Sequence, residues 1–447
     1  MPSASTLNAR EQRRVVAGTT IGTAIEWYDY FLYAAVAGLV FKQVMFSPEM
    51  SPGLATIVSF ASVGISFLFR PLGAFLAGYC ADRFGRRAVL VATLLTMGIA
   101  TVIIGVLPTY ATAGAAAPIM LIILRILQGI SAGGEWGAAA LLSVEHAPAG
   151  KRGLYGSGPQ LGAPLGLLLS SVVLALVSAF TTEETFMSYG WRIPFLLSAV
   201  LIVVGLFIRH SVEESPVYST MVERPDTAPA TNPMGTLLRR FPLVVLIASL
   251  VLAANTASGY MTTGGFIQSY ATSSAGLDRG VVLSAVAASA VGWSLSTVAA
   301  GVISDRIGRK NTFIVGFIVQ LLGNLALFPL VNTGNAAAFT AGLVIMSLGI
   351  GLTYGQIAAY YAELYPAPVR ASGASITYAL ASILGGAFAP TIAAALTQST
   401  GGTAAVTAYL VAMTLIGLVA TLCLRDRTNV DLSPDAAQDR SILAWHH

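Results

Sequence analysis

Residues 371–424 contain no Asp, Glu, Lys or Arg, and neither do residues 311–362. One pass through the hydrocarbon core of a bilayer takes about 20 largely apolar residues, so each run is long enough for two passes. An Asn-Thr-Gly-Asn at 332–335 and a Ser-Thr-Gly-Gly at 399–402 supply turns that fold each run into a helical hairpin. Backbone groups in lipid are satisfied inside a helix, which is the form these runs are expected to take. Residues 241–277 and 280–304 are free of the same charges. Over the whole chain only 10% of residues are charged, where a soluble protein carries about 25%. With 55% hydrophobic residues and a mean hydropathy of +0.75, the apolar surface is too large for a water-soluble core. That argues against a soluble enzyme, a nucleic-acid binder and a disordered chain. The pI near 9.1 then reflects loop residues and membrane topology rather than nucleic acid.

The same reading gives spans near 16–41, 54–81, 88–107, 118–144, 154–179 and 191–208. A second set falls near 241–271, 280–304, 311–330, 337–363, 371–396 and 403–424. An all-α integral membrane protein is expected, with twelve transmembrane helices in two pseudo-symmetric six-helix bundles. Residues 1–208 form the first bundle, 209–240 a cytoplasmic linker, 241–424 the second bundle and 425–447 a cytoplasmic tail. With the N-terminus inside, nineteen of the 24 Lys and Arg fall in inside segments. Lys42, Arg192 and Arg279 fall outside, while Arg70 and Arg125 lie within spans. This asymmetry places both termini in the cytoplasm. The N-terminus is polar, with Arg10, Arg13 and Arg14 before the first span, and does not look like a cleavable signal. Cys80 and Cys423 lie far apart, and His146, His210, His446 and His447 fall outside the spans. No disulfide framework, metal site or histidine relay is expected.

The chain also repeats itself. Gly78-x3-Asp82-Arg83-x-Gly85-Arg86-Arg87 recurs half a chain later as Gly301-x3-Asp305-Arg306-x-Gly308-Arg309-Lys310. Glu145, Pro148 and Arg152 recur as Glu363, Pro366 and Arg370. The two patterns follow the second and fourth spans of each half. Two such halves with a midplane site between them suit a rocking transporter.

These residues resemble the major facilitator superfamily. The Gly-x3-Asp-Arg loop is similar to its best-known motif, and Leu121-x3-Arg125-x2-Gln128-Gly129 resembles its fourth-span motif. Glu26-Trp27-Tyr28-Asp29-Tyr30-Phe31, Phe69-Arg70-Pro71-Leu72-Gly73 and Gly133-Gly134-Glu135-Trp136-Gly137 resemble the metabolite:proton symporter branch, as does Gly190-Trp191-Arg192-Ile193-Pro194-Phe195. Residues 133–218 look most like bacterial shikimate permeases. The resemblance implies proton-coupled uptake of a shikimate-like or other organic acid across the bacterial inner membrane. Proline/betaine osmolyte porters of the same branch rank second; the tail here is too short for the coiled coil that such porters can carry. Gly158-Pro159-Gln160-Leu161-Gly162-Ala163 partly resembles the fifth-span motif of drug/proton antiporters, which keeps export as a third reading.

Ionisable side chains inside spans cost about 2.5–3.5 kcal/mol each on insertion scales and default to functional roles. Glu26, Asp29, Arg70, Arg125 and Glu135 are the candidates; the competing reading is ion pairs that only fasten helices. Three carboxylates against two guanidiniums leave one acid to be met by a proton, since arginines stay charged. Glu26 and Asp29 share a helix face one turn apart, and two like charges that close favour protonating one of them. Asp29 is the expected proton carrier, Glu26 the alternative, and Glu135 the partner of an arginine. Arg125 offers a planar fork for a carboxylate, with Arg70 second. Gln128, Tyr33, Gln160, Asn255, Tyr260, Tyr354 and Gln356 are candidate substrate contacts, polar or aromatic groups that suit hydroxyl and carboxylate oxygens.

The repeated loops are expected to gate. Gly78, Asp82, Arg83, Gly85 and Arg86, with Asp305, Arg306 and Arg309, would hold each loop against a neighbouring helix N-terminus, where the dipole favours a carboxylate. Glu145, Arg152, Glu363 and Arg370 would support the same gate. No phosphate-cradling glycine motif is present, so no cofactor and no ATP are expected; the drive is a proton gradient. The expected partners are a small molecule, protons and lipid, not nucleic acid, with the monomer as the working unit. A non-transporting membrane sensor is the contrasting class, and it has no need of the internal duplication.

Overall fold

The computed structural model describes residues 9–76, 86–133, 136–145, 147, 148, 150–211, 233–432 and 442–444. Six helices make the first half. They are α1 (Ala9–Val36), α2 (Pro52–Leu76), α3 (Arg86–Val106), α4 (Ala116–Ala132, resumed as Trp136–Glu145), α5 (Arg152–Ala179) and α6 (Ile193–Ser211). The second half consists of α7 (Pro242–Ser273), α8 (Arg279–Ile307), α9 (Arg309–Val331), α10 (Ala336–Leu364), α11 (Arg370–Thr400) and α12 (Ala404–Cys423). Nine helices among the described residues are long and apolar enough to cross a membrane; α1, α3 and α4 complete the twelve. Helix α1 begins at Ala9, earlier than the expected 16, because the polar lead-in continues the helix beyond the apolar stretch. The expected linker falls largely outside the described residues; its end forms a short helix, Pro233–Arg240.

Helix breaks position the site. Pro71 has no N–H to donate to Phe67, and α2 is interrupted at Phe69, which leaves Arg70 at the bend. Helix α7 breaks at Gly264 and Gly265. Gly265 has φ +94°, a conformation that L side chains rarely adopt, and a side chain there would run into the Ala34 carbonyl. Helix α10 breaks at Gly355 and Gln356, and α11 contains a π-helical stretch, Ser382–Ala387. Far more of α7 is enclosed by protein than of α6 or α12. Helix α7 therefore runs through the middle, while Val203, Phe207 and Val419 turn outward on the flanking helices.

The halves touch at both ends. At the end where both termini lie, Gly153 of α5 and Gly301 of α8 meet backbone to backbone. At the opposite end Gly38, in the π-helical turn Ala37–Phe41 that extends α1, lies against the Gly265 carbonyl. There Lys42 Nζ donates to Ser269 Oγ at 2.8 Å, and Arg279 Nη1 pairs with Glu183 at 2.7 Å. Among the described residues the two halves are thus in contact at both ends.

Candidate functional site

Between the two ends, Glu26, Asp29, Arg70 and Arg125 are each at most 6% exposed. Arg70 Nη2 reaches Glu26 Oε1 at 3.4 Å. Its guanidinium lies over the rings of Phe67 (4.5 Å) and Trp27 (5.7 Å). Arg70 Nε, Trp27 Nε1 and the Tyr30 hydroxyl find no hydrogen-bond partner among the described residues. A buried donor left unmatched costs about 1–3 kcal/mol, a cost that acceptors brought to this corner would offset.

Arg125 is held differently. Its Nη1 donates to Gln128 Oε1 at 2.7 Å, and its Nη2 to Ser66 Oγ at 2.7 Å and Val63 O at 3.0 Å. Its Nε donates to Ser62 O at 3.4 Å, and the plane covers Tyr33 at 3.9 Å. Four of its five N–H groups are thus committed to the first half. Tyr33 in turn bonds Ser62 at 2.7 Å.

Asp29 makes no ion pair among the described residues. Its Oδ1 accepts from Ser198 of α6 at 2.9 Å and its Oδ2 from Thr101 of α3 at 2.8 Å. Thr101 accepts from Gln128 Nε2 at 2.7 Å, so a hydrogen-bonded path runs from Asp29 to Arg125. The Thr101 hydroxyl has a second acceptor, Met97 O at 3.0 Å, and can turn to it when Asp29 carries a proton. Thr101 and Ser198 escaped the sequence reading; their only signal is a hydroxyl in an apolar span. Glu135 lies outside the described residues.

Aromatic rings of both halves fill the space above Arg70. Tyr260 of α7 stands 5.3 Å from Tyr30 and from Phe67, and 5.7 Å from Trp27. Trp136 stacks on Tyr378 at 3.8 Å, and Tyr378 OH meets Tyr354 OH at 3.0 Å. Gln160 accepts from Trp136 and donates across the interface to Tyr354 O at 3.3 Å. The cavity lined by Tyr30, Arg70, Arg125 and Gln128 is about 10 Å³, room for a single water. Two expected contacts sit elsewhere. Asn255 donates to Ile350 O and Thr353 inside the second half, and Gln356 is oriented to donate to Arg309 O at 3.3 Å.

The second half carries a polar knot of its own. Asn324 of α9 donates to Ser258 of α7 at 3.2 Å and to Thr414 of α12 at 2.8 Å. Helices α7, α9 and α12 are the second-half counterparts of α1, α3 and α6, and the offset that carries Asp82 onto Asp305 carries Thr101 onto Asn324. Both halves are tied at corresponding helices, but the second-half tie holds no ionisable group.

At the terminal end Asp305 accepts from the N–H of Gly153 (2.7 Å) and Leu154 (2.9 Å), capping α5 of the other half. Arg309 donates to Asp305 at 2.8 Å and to both oxygens of Glu363, at 2.9 and 3.2 Å. Arg152 pairs with Glu363 at 3.5 Å and Arg370 with Glu145 at 3.4 Å, each across the interface. Arg306 is exposed. Gly78, Asp82, Arg83 and Gly85 lie outside the described residues, as does the side chain of Arg86. The tail adds a strap that sequence reasoning left out: Val430 O accepts from Arg152 at 2.6 Å, Leu432 O accepts from Arg370 at 3.1 Å, and Asn429 N donates to Glu363 at 3.1 Å.

Two six-helix halves in contact at both ends, with a buried charge cluster in the first, define a membrane carrier, and the profile of the Major Facilitator Superfamily matches residues 19–390. The chain belongs to that family. It is 42% identical over 421 residues to the inner membrane metabolite transport protein YhjE of Escherichia coli, covering 93% of this chain and 94% of that protein. It is 38% identical to the shikimate transporter of Escherichia coli, over 95% of this chain and 97% of the other. Identity to the proline/betaine transporter of Salmonella typhimurium is 29%, over 97% and 89%. Among solved structures, a D-xylose-proton symporter superposes with a TM-score of 0.73 at 20% identity, over 95% of this chain and 98% of the other, which speaks for the fold.

Proposed function

We propose that this chain imports a small polar carboxylate across a bacterial inner membrane together with a proton, by alternate opening of the two ends. The observation that carries the reading is the buried Glu26–Arg70 pair, whose aromatic surround of Trp27, Tyr30 and Phe67 meets Tyr260 of the second half, with Asp29 and Arg125 buried beside it within the first half. The relatives that transport shikimate and other metabolites point the same way. Asp29 is the proton carrier: it is buried with two hydroxyl partners that accommodate either protonation state. Asp305, Arg309, Arg152, Glu363, Arg370 and Glu145 form the gate at the terminal end, which we assign to the cytoplasm on the distribution of Lys and Arg. The monomer suffices, and the proton gradient is the only energy source.

An osmolyte is the second reading. The rings of Trp27, Tyr30, Phe67 and Tyr260 around Arg70 suit a quaternary ammonium beside a carboxylate. Uptake of labelled shikimate and glycine betaine into proteoliposomes under an imposed pH step decides between them. Shikimate is expected to accumulate. Accumulation of betaine alone favours the osmolyte, and accumulation of neither sinks both readings.

A further inference from the structure

Arg70 and Arg125 are equivalent in sequence terms, an arginine within a span of the first half, yet the structure separates them. Arg125 has spent its fork on Ser62, Val63, Ser66 and Gln128. A ligand could take it only by undoing the contact between α2 and α4. Arg70 is held by one long bond to Glu26, at 3.4 Å, and its Nε is unmatched among the described residues. The Trp27 indole and Tyr30 hydroxyl beside it are unmatched as well. The corner presents donors and a positive charge, and among the described residues the carboxylate that pairs with it is the protein's own Glu26.

We propose that Arg70 anchors the carboxylate of the substrate, and that Glu26 occupies that place while the carrier is empty. Substrate and Glu26 then compete for one guanidinium. The Trp27 and Tyr30 donors serve the guest's remaining oxygens. Tyr260 closes the corner from the other half, so the pocket opens only when the halves part. Competition gives the empty carrier a neutral, closed centre, and it keeps a buried arginine from standing unpaired during the return without substrate. The inference rests on the organic-acid reading above.

Equilibrium binding of shikimate and of its uncharged methyl ester to the purified chain, read by tryptophan fluorescence, tests it. In Glu26→Gln the competitor is neutral, and shikimate should bind about tenfold tighter while the ester is unchanged. In Arg70→Lys the planar fork is lost, and shikimate should bind at least about tenfold more weakly, again with the ester unchanged. The ester reports whether each variant keeps its folded pocket. Acid and ester shifting together in both variants, or acid shifting in neither, overturns the exchange at Arg70 and leaves the transport reading standing. Failure of the wild-type chain to bind shikimate at all overturns the organic-acid reading itself.

Discussion

Arg125 shows how far partners outweigh residue type. A lysine there keeps the charge but cannot serve Ser62, Val63, Ser66 and Gln128 together. Gln128 Oε1 would lose its buried donor, at a cost of about 1–3 kcal/mol, and the clamp between α2 and α4 would go with it. Arg125→Lys should therefore lower the thermal-unfolding midpoint in detergent by more than Arg70→Lys does, and equal shifts count against this assignment. Asp29 is the complementary case. Asn is nearly isosteric and can still accept from Thr101 or Ser198, but it cannot take up or release a proton. Asp29→Asn should keep exchange of labelled substrate across the membrane and lose uphill accumulation, assayed on one proteoliposome preparation. If Asp29→Asn and Glu26→Gln both still accumulate substrate under a pH step, the proton site is not on α1. The charges themselves were legible in the sequence, because an ionisable residue in an apolar span stands out. Which arginine faces α1 and which faces α2 was not, since both sit in similar local contexts and the difference arises from the turn of each helix against its neighbours.

At the scale of elements, the terminal-end contact is a helix cap borrowed across the interface. Asp305, at the end of α8, satisfies two N–H groups in the first turn of α5. Removing a side-chain cap costs about 0.5–2 kcal/mol, and here the loss falls on the closed state alone. Asp305→Ala should therefore open the terminal end more often. In a background lacking Cys80 and Cys423, a cysteine placed at Ser157, beside the Gly153–Gly301 contact, should be alkylated several-fold faster in Asp305→Ala. Equal labelling rates would falsify the cap as a gate. The repeated Gly-x3-Asp-Arg loop announced this element in the sequence. Each copy of the loop is expected to seat against a neighbouring helix N-terminus, and Asp82 of the first copy lies outside the described residues. The mirror contact of Asp305 with α5 is the one on view.

At the scale of the whole molecule, two lines of backbone cross the divide at the terminal end: the helix ends and the tail strap at residues 425–432. Arg427 Nε donates to Glu363 O at 3.1 Å, and the strap joins Arg152 of one half to Glu363 and Arg370 of the other. Deleting residues 426–447 should weaken closure at that end and speed counterflow of labelled substrate. An unchanged rate in a truncated chain of normal expression means that the strap bears no part of the gate. Charge movement belongs to this scale too. One proton carried with a monoanion moves no net charge, so uptake of shikimate should follow the pH difference and ignore a potassium diffusion potential. With a zwitterion, the potential adds about 2.3 kcal/mol per 100 mV. A strong response of shikimate uptake to valinomycin contradicts a ratio of one to one.

The sequence by itself determined the helices, their number and the two-fold repeat, because hydration of charge and backbone is a local matter that each segment settles alone in lipid. It also marked the buried charges, since their cost depends on the span and not on the neighbours. Only the tertiary structure decided the pairing of Glu26 with Arg70, the hydroxyl partners of Asp29, the neutral knot of Ser258, Asn324 and Thr414, and the strap over the gate. Those contacts join residues from different helices. They depend on helix rotation and on breaks such as the one before Pro71, which are set by the packing of all twelve spans at once.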